Sequence, residues 1–202
     1  MGSLVEIQSD FKFNTDKGST HNYLVHYDIL FSDYKDKEIN LLEIGVLNGE
    51  SLKLWSKYFV NAKLYGIDIF TRKEKGVDLD IDYVNKNLEG YNVQLNNVNS
   101  CGEKEEHIES RREYFSQFED GYFDIIIDDG QHNSESQILT FNNFKKKLNK
   151  NGLYIIEDIK DWKDRNGRTH LENLKKVISD LEIIHHGRGD DILGLVRGEN
   201  IK

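Results

Sequence analysis

Short apolar runs alternate along this chain with longer stretches whose apolar residues recur every three or four positions. Ile39 to Ile44 is one such run, and Leu52, Leu54, Trp55, Tyr58 and Phe59 follow it at helical spacing. The pattern predicts a strand over 39–44, a helix over 50–59 and a strand over 63–68. It continues with a third strand from Val93 to Asn96, a charged helix near 103–117, a strand from Phe123 to Ile127 and a helix over 134–148. A turn at Asn149-Lys150-Asn151-Gly152, a strand over 153–156, a helix over 169–180 and closing strands at 182–186 and 192–197 complete it. Phe123 to Ile127 is nearly all apolar and β-branched, as a central parallel strand buried on both faces should be. Ahead of the first strand, residues 1–20 read as polar, with Asp16 to Thr20 a loop and Ser19 or Thr20 an N-cap. Tyr23, Leu24, Tyr27, Ile29, Leu30 and Phe31 then give one helix. Residues 71–90 are charged and irregular, with room for a short helix. The order describes an α/β fold with one doubly wound, seven-stranded, mostly parallel sheet whose last two strands form a hairpin. Neither an internal repeat nor a linker interrupts it, so residues 1–202 are expected to form a single domain.

Composition narrows the class. A chain of 202 residues can bury a real core, and ten Phe and ten Tyr offset a hydrophobic content of only 37%. The formal charge of −9 disfavours a nucleic-acid backbone as main partner. A single cysteine, Cys101, rules out an internal disulfide and suits a reducing compartment, so a cytoplasmic location is expected. No apolar run approaches membrane-spanning length, and the N-terminus carries no signal-like segment. The run Lys145-Lys146-Lys147 reads as a solvated helix end.

Chemistry gathers where strands end. The strand ending at Ile44 enters a turn with Gly45 and Gly49, the place where such a sheet holds a nucleotide-like cofactor. Its glycine pattern is G-x-x-x-G, which argues against the G-x-G-x-x-G turn of a nicotinamide-dependent dehydrogenase. Acids stand at four strand ends: Glu43, Asp68, the pair Asp128/Asp129 and the pair Glu157/Asp158. Helix capping and turns explain isolated cases, but not an acid after each apolar strand on one edge of a sheet. Asp68, 23 residues after Gly45, has the spacing of a ribose-binding carboxylate. Glu43 is placed to orient the glycine turn or to meet a cationic part of a ligand. Asn99 has two readings, an adenine-edge reader and a turn asparagine. Converging Asp129, Glu157 and Asp158 would repel one another unless some protonate or a cation sits among them, and oxygen-only donors select magnesium over zinc. His132, three residues past Asp129, is the candidate general base. His107, His185 and His186 read as structural or solvated, and Trp55 as core. Trp162, close to the metal loop in sequence, is a candidate to stack on a sugar or ring.

The segment Leu42-Glu43-Ile44-Gly45-Val46-Leu47-Asn48-Gly49-Glu50-Ser51-Leu52 resembles the cofactor loop of class I S-adenosylmethionine-dependent methyltransferases. Thr15-Asp16-Lys17-Gly18-Ser19, Ile127-Asp128-Asp129-Gly130-Gln131-His132 and Gly152 to Asp158 narrow the resemblance. They are similar to the metal-dependent sugar O-methyltransferases of the macrocin and mycinamicin type, which are related to cephalosporin-methyltransferase-like proteins. The resemblance spans about residues 13–197. It implies the Rossmann-like methyltransferase fold with an antiparallel last strand. Residues 39–198 would be its core, with residues 1–38 contributing to the site. It implies magnesium on Asp129, Glu157 and Asp158, with His132 and Asp129 catalytic. S-Adenosylmethionine would be bound through Lys17, Glu43, Gly45, Asn48, Gly49, Ser51, Asp68, Asn99 and Asp128. The acceptor would be a hydroxyl of a sugar or glycan. A catechol-type O-methyltransferase and a non-catalytic cofactor-binding module are the rival readings. Gln131 stands where these enzymes usually carry serine, and Lys160-Asp161-Trp162 is more charged than their usual aromatic segment.

Overall fold

A computed structural model describes residues 2–163, 166–187 and 191–201. The chain divides into two compact units, Met1–Asn97 and Val98–Lys202.

The first unit opens with three helices, α1 (Leu4–Phe11), α2 (Asp16–Ser19) and α3 (Leu24–Phe31). Next come β1 (Ile39–Ile44), α4 (Glu50–Tyr58) and β2 (Ala62–Asp68). A small antiparallel pair, β3 (Lys73–Glu74) and β4 (Val77–Asp78), leads to α5 (Ile81–Asn87) and β5 (Val93–Asn97). β1 pairs in parallel with β2, and β2 with β5. The helix α1 adds an element that the polar reading of residues 1–20 did not include. A capping box between Ser3 and Glu6 starts it, Leu4 and Ile7 bury its inner face, and the Leu4 N–H donates to both carboxylate oxygens of Asp28 at 2.9 and 3.0 Å. Asp16 to Ser19 is likewise a helical turn, with Thr15 as its N-cap. Ser19 and Thr20 do not cap α3, which Tyr23 precedes without a side-chain cap. The core centres on Trp55, which meets Tyr27 and Phe31 edge-on at 5.4 and 5.7 Å between ring centroids.

The second unit contains α6 (Glu105–Phe115), β6 (Phe123–Asp128), α7 (Ser134–Phe144), β7 (Leu148–Ile159), α8 (His170–Val177), β8 (Glu182–His186) and β9 (Ile192–Arg197). β6 and β7 are parallel, whereas β9 runs antiparallel to both β7 and β8. The strand order is that of the expected seven-stranded, mostly parallel sheet with an antiparallel last strand. The predicted turn at 149–152 lies inside β7. Phe123 pairs with Leu148 and Ile125 with Leu153, so five steps along β7 match two along β6, and the surplus residues loop out. The helix predicted to 148 stops at Phe144 and tightens into a 3₁₀ turn over Lys145–Lys147. Lys147 is not a solvated end: its ammonium lies 2.9 Å from Asp120 Oδ1 and donates to the Phe118 carbonyl at 2.8 Å.

A second irregularity in β7 shapes the site. Ile156 pairs with Gly194 and Ile159 with Ile192, so three steps along β7 match two along β9. The extra residue bulges the strand at Glu157 and Asp158, and Asp158 takes a φ of 53°. No helix among the described residues is long and apolar enough to cross a membrane.

Candidate active site

The glycine turn is built around two acids, the half-buried Asp68 and the buried Glu43. Gly45, Leu47 and Gly49 all have positive φ (89°, 51° and 85°), which folds residues 45–49 back over the end of β1. Asp68, at the end of β2, holds this backbone: its Oδ2 accepts the N–H groups of Val46 and Leu47 at 2.8 and 3.1 Å, and its Oδ1 that of Phe70 at 3.0 Å. A carboxylate has about four acceptor positions, so the predicted ribose ligand is also the clamp of the turn and keeps capacity for a hydroxyl. Glu43 is fully buried, accepts a hydrogen bond from Ser51 Oγ at 2.9 Å, and lies 3.5 Å from the equally buried Lys17 ammonium. Thr15, capping α2 through the Lys17 N–H, sets that lysine in place. Asn48 accepts from the Glu50 N–H through its side chain, and its carbonyl accepts from Asn87 Nδ2 at 2.6 Å. Opposite the turn, a Cβ on Gly66 would come within 2.8 Å of Val46 Cγ2, so the strand beside the loop must be bare there.

In the second unit the Asn99 side chain is a turn-former. Its Oδ1 accepts the N–H groups of Gly102 and Cys101 at 2.7 and 3.3 Å, and the buried Arg111 donates to the Asn99 and Gly102 carbonyls, each at 2.7 Å. Of the two readings of Asn99, this favours the turn for its oxygen.

Asp128 ends β6 and Asp129 follows it, but the two meet different surroundings. Asp128 is buried against the Tyr154 hydroxyl, and burial, with the adjacent Asp129 charge, pushes its pKa up to about 7. The Gly130 N–H, His132 and Tyr154 offset part of that rise. Burial and the Asp128 carboxyl together hold the Tyr154 phenol well above its usual range. Neither Asp128 Oδ2 nor the Tyr154 hydroxyl meets a partner in good hydrogen-bond geometry.

Asp129, His132 and Asp158 form a tight cluster. His132 Nε2 lies 3.2 Å from Asp129 Oδ1, and Nδ1 lies 3.3 Å from Asp158 Oδ2. One ligand atom from each of the three residues falls within 4.8 Å of the others. Burial works against a charged imidazole, but the Asp129 hydrogen bond and the charges of Asp129, Asp158 and Glu157 outweigh it, so the His132 pKa is raised. A neutral ring donates from one nitrogen only, whereas this ring has a carboxylate at both. Glu157 is buried and close enough to act on His132 electrostatically, yet stands outside that tight group. Its carbonyl accepts from Gln137 Nε2 on α7 at 2.9 Å. The donor set suits a divalent ion: oxygens of Asp129 and Asp158 lie on either side of the His132 ring, with Glu157 adjacent.

A family model described as a methyltransferase domain matches residues 42–159. The chain belongs to this methyltransferase domain family. Similar curated proteins include demethylmacrocin O-methyltransferase of Streptomyces fradiae, 31% identical over 149 residues that make up 70% of this chain and 33% of the relative. Another is mycinamicin VI 2''-O-methyltransferase of Micromonospora griseorubida, 29% identical over 77% of this chain and 36% of the relative. An 8-demethyl-8-alpha-L-rhamnosyl tetracenomycin-C 2'-O-methyltransferase of Streptomyces olivaceus is 26% identical over 87% of this chain and 44% of the relative. The chain therefore spans less than half the length of these relatives. Among solved structures, the MycE methyltransferase from the mycinamycin biosynthetic pathway, in complex with Mg, SAH and mycinamycin VI, matches with a TM-score of 0.68 at 24% identity. That match covers 98% of this chain and 56% of the other, and it establishes the Rossmann-like methyltransferase fold.

Several residues that shape this methyltransferase domain gave no signal of their own in the sequence. Tyr154 is one polar-tipped residue in an aliphatic strand, and Gln137 sits on a mixed helix. His170 Nδ1 accepts the Ser134 N–H at 2.9 Å, which ties the start of α7 to α8. The capping pair Thr169 and Glu172 marks that helix start, but not the bond the histidine makes. The remaining sequence-read histidine on a helix, His107, lies in α6, and His185 lies in β8.

Proposed function

We propose that this chain is an S-adenosylmethionine- and magnesium-dependent O-methyltransferase acting on a hydroxyl of a sugar. The observation that carries the reading is the cluster in which Asp129 and Asp158 clasp both nitrogens of His132 at 3.2 and 3.3 Å. The names of the curated sugar O-methyltransferases and the Mg and SAH complex of the structural neighbour support it. We also read residues 1–202 as one catalytic domain in which residues 1–38 serve the site through Lys17. The free thiol of Cys101 fits a cytoplasmic enzyme.

Asp129, Glu157 and Asp158 would hold the magnesium, which supplies positive charge that lowers the pKa of a bound hydroxyl. The carboxylates that flank His132 are those the ion would take, and a ring nitrogen released from a carboxylate accepts the hydroxyl proton. Asp68 fixes the glycine turn and, with its remaining acceptor capacity, takes the ribose hydroxyls. Glu43, paired with Lys17 and held by Ser51, keeps the end of β1 rigid, where the loop from Glu43 to Gly49 would hold the methionine portion of the cofactor. The sulfonium of S-adenosylmethionine provides the methyl group and a good leaving group, so the protein's contribution is positioning and electrostatics.

A methyl-transfer assay over a panel of glycosides, with magnesium or with a chelator, tests the proposal. Turnover should require the metal. His132→Ala and Asp129→Ala should each lower kcat by at least about a hundredfold while S-adenosylhomocysteine binding by calorimetry stays near wild type. Chelator-insensitive turnover, or full activity in either variant, would overturn it.

A further inference from the structure

Past the bulge that sets Asp158, the chain leaves β7 through Lys160, Asp161 and Trp162. An exposed aromatic ring that is held in place offers its face to a ligand at little cost in ordering. Trp162 is 47% exposed and is held. The Lys160 ammonium lies over its ring, 4.8 Å from the centroid. The base of the loop is pinned twice, by a hydrogen bond from the Leu171 N–H to the Lys160 carbonyl at 3.3 Å and by a bridge between Lys163 and Thr169. A cation against one part of an indole fixes the ring's orientation and leaves its exposed area to a ligand. Trp162 is four positions beyond Asp158, so their Cα atoms lie within about 14 Å. A glycosylated small molecule reaches across that distance.

We propose that Trp162, steadied by Lys160, is the platform on which the pyranose ring of the acceptor stacks, next along the chain from the Asp129–His132–Asp158 cluster. An indole face attracts the C–H-bearing face of a sugar ring through dispersion and through its negative quadrupole. The contact is indifferent to the hydroxyl pattern on the other face. Orientation of the reacting hydroxyl is thus left to the carboxylate–histidine cluster, and Trp162 sets affinity for ring over chain. The inference rests on the sugar O-methyltransferase reading and names the subsite that reading lacks.

The chain has two tryptophans, and Trp55 is fully buried, so collisional quenching of fluorescence by acrylamide reports on Trp162. Methyl α-L-rhamnopyranoside is titrated into the protein with magnesium and S-adenosylhomocysteine present. Saturable protection from acrylamide is expected in the wild type, and calorimetry, which needs no fluorophore, should show binding lost in Trp162→Leu and preserved in Trp162→Phe. In turnover of a glycoside acceptor, Trp162→Ala should raise KM about tenfold, with kcat within about twofold of wild type and with Trp162→Phe restoring most of the loss. Lys160→Met should give a smaller rise. Unprotected Trp162, or an unchanged KM in Trp162→Ala, overturns the platform even where turnover and metal dependence hold. Sugar-dependent protection in a protein that methylates no glycoside supports the platform and instead sinks the catalytic reading.

Discussion

Asp128→Asn should remove a pH dependence from folding. In the native protein burial raises the Asp128 pKa from 3.8 to about 7, with the Asp129 charge adding to the rise. The unfolded chain releases this proton near the lower value, the folded chain near the higher. Between the two, the native state holds one proton more than the unfolded state, so unfolding free energy falls as pH rises, by about 1.4 kcal/mol per unit. The contribution is fully present below about pH 4 and is lost as pH rises through about 7. Across roughly three units the loss is on the order of 4 kcal/mol, a large share of the 5–15 kcal/mol that usually holds a domain together. Asparagine has nearly the same size, can accept from the Gly130 N–H as Asp128 Oδ1 does at 3.3 Å, and carries no charge at any pH. Urea unfolding of both proteins, in chelator, at half-unit steps from pH 4.5 to 8.5 makes the comparison. The variant and the wild type should be close at the acid end, and the variant should be more stable by several kcal/mol at the alkaline end, with equal m-values. A stability difference that stays flat across the range would refute the reasoning, as would a wild type that is the more stable protein at pH 8.

Two further changes test the glycine turn. Lys17→Met leaves the Glu43 carboxylate buried opposite an apolar side chain and should cost about 3–5 kcal/mol in urea unfolding, part of which returns in the Lys17→Met/Glu43→Gln double variant. Gly49→Ala forces a Cβ to 3.0 Å from Leu88 at a φ of 85° and should cost about 1–3 kcal/mol, read as a lower Tm and weaker S-adenosylhomocysteine binding.

Strands were legible in the sequence because parallel strands buried on both faces read as mostly apolar runs, as Ile39–Ile44 does with only Asn40 and Glu43 polar and Phe123–Asp128 with only Asp124 and Asp128. Helix α1 was not, because Leu-Val-Glu-Ile-Gln-Ser-Asp-Phe has only two buried residues and owes its place to Asp28, 24 positions away. The positions of the acids were likewise plain, but their grouping was not. In a regular strand Glu157 and Asp158 point to opposite faces. The extra residue that β9 imposes on β7 breaks this rule, leaves both residues buried, and turns Asp158 toward His132. No local pattern encodes a bulge that depends on the partner strand's register.

That grouping separates the strand-end acids by the kind of donor each one faces. Asp68 is bonded to three backbone amides and Glu43 to a buried ammonium and a hydroxyl, donors whose positions the fold fixes. Such acids shape a loop and hold it. Asp129 and Asp158 instead flank an imidazole, a donor that can give up its proton and move aside. Carboxylates paired with a removable cation are the ones that can exchange it for another, and a histidine relieved of them becomes a base. The reading of one acid pair as architecture and the other as chemistry follows from that difference in partners, not from their equivalent places at the ends of strands.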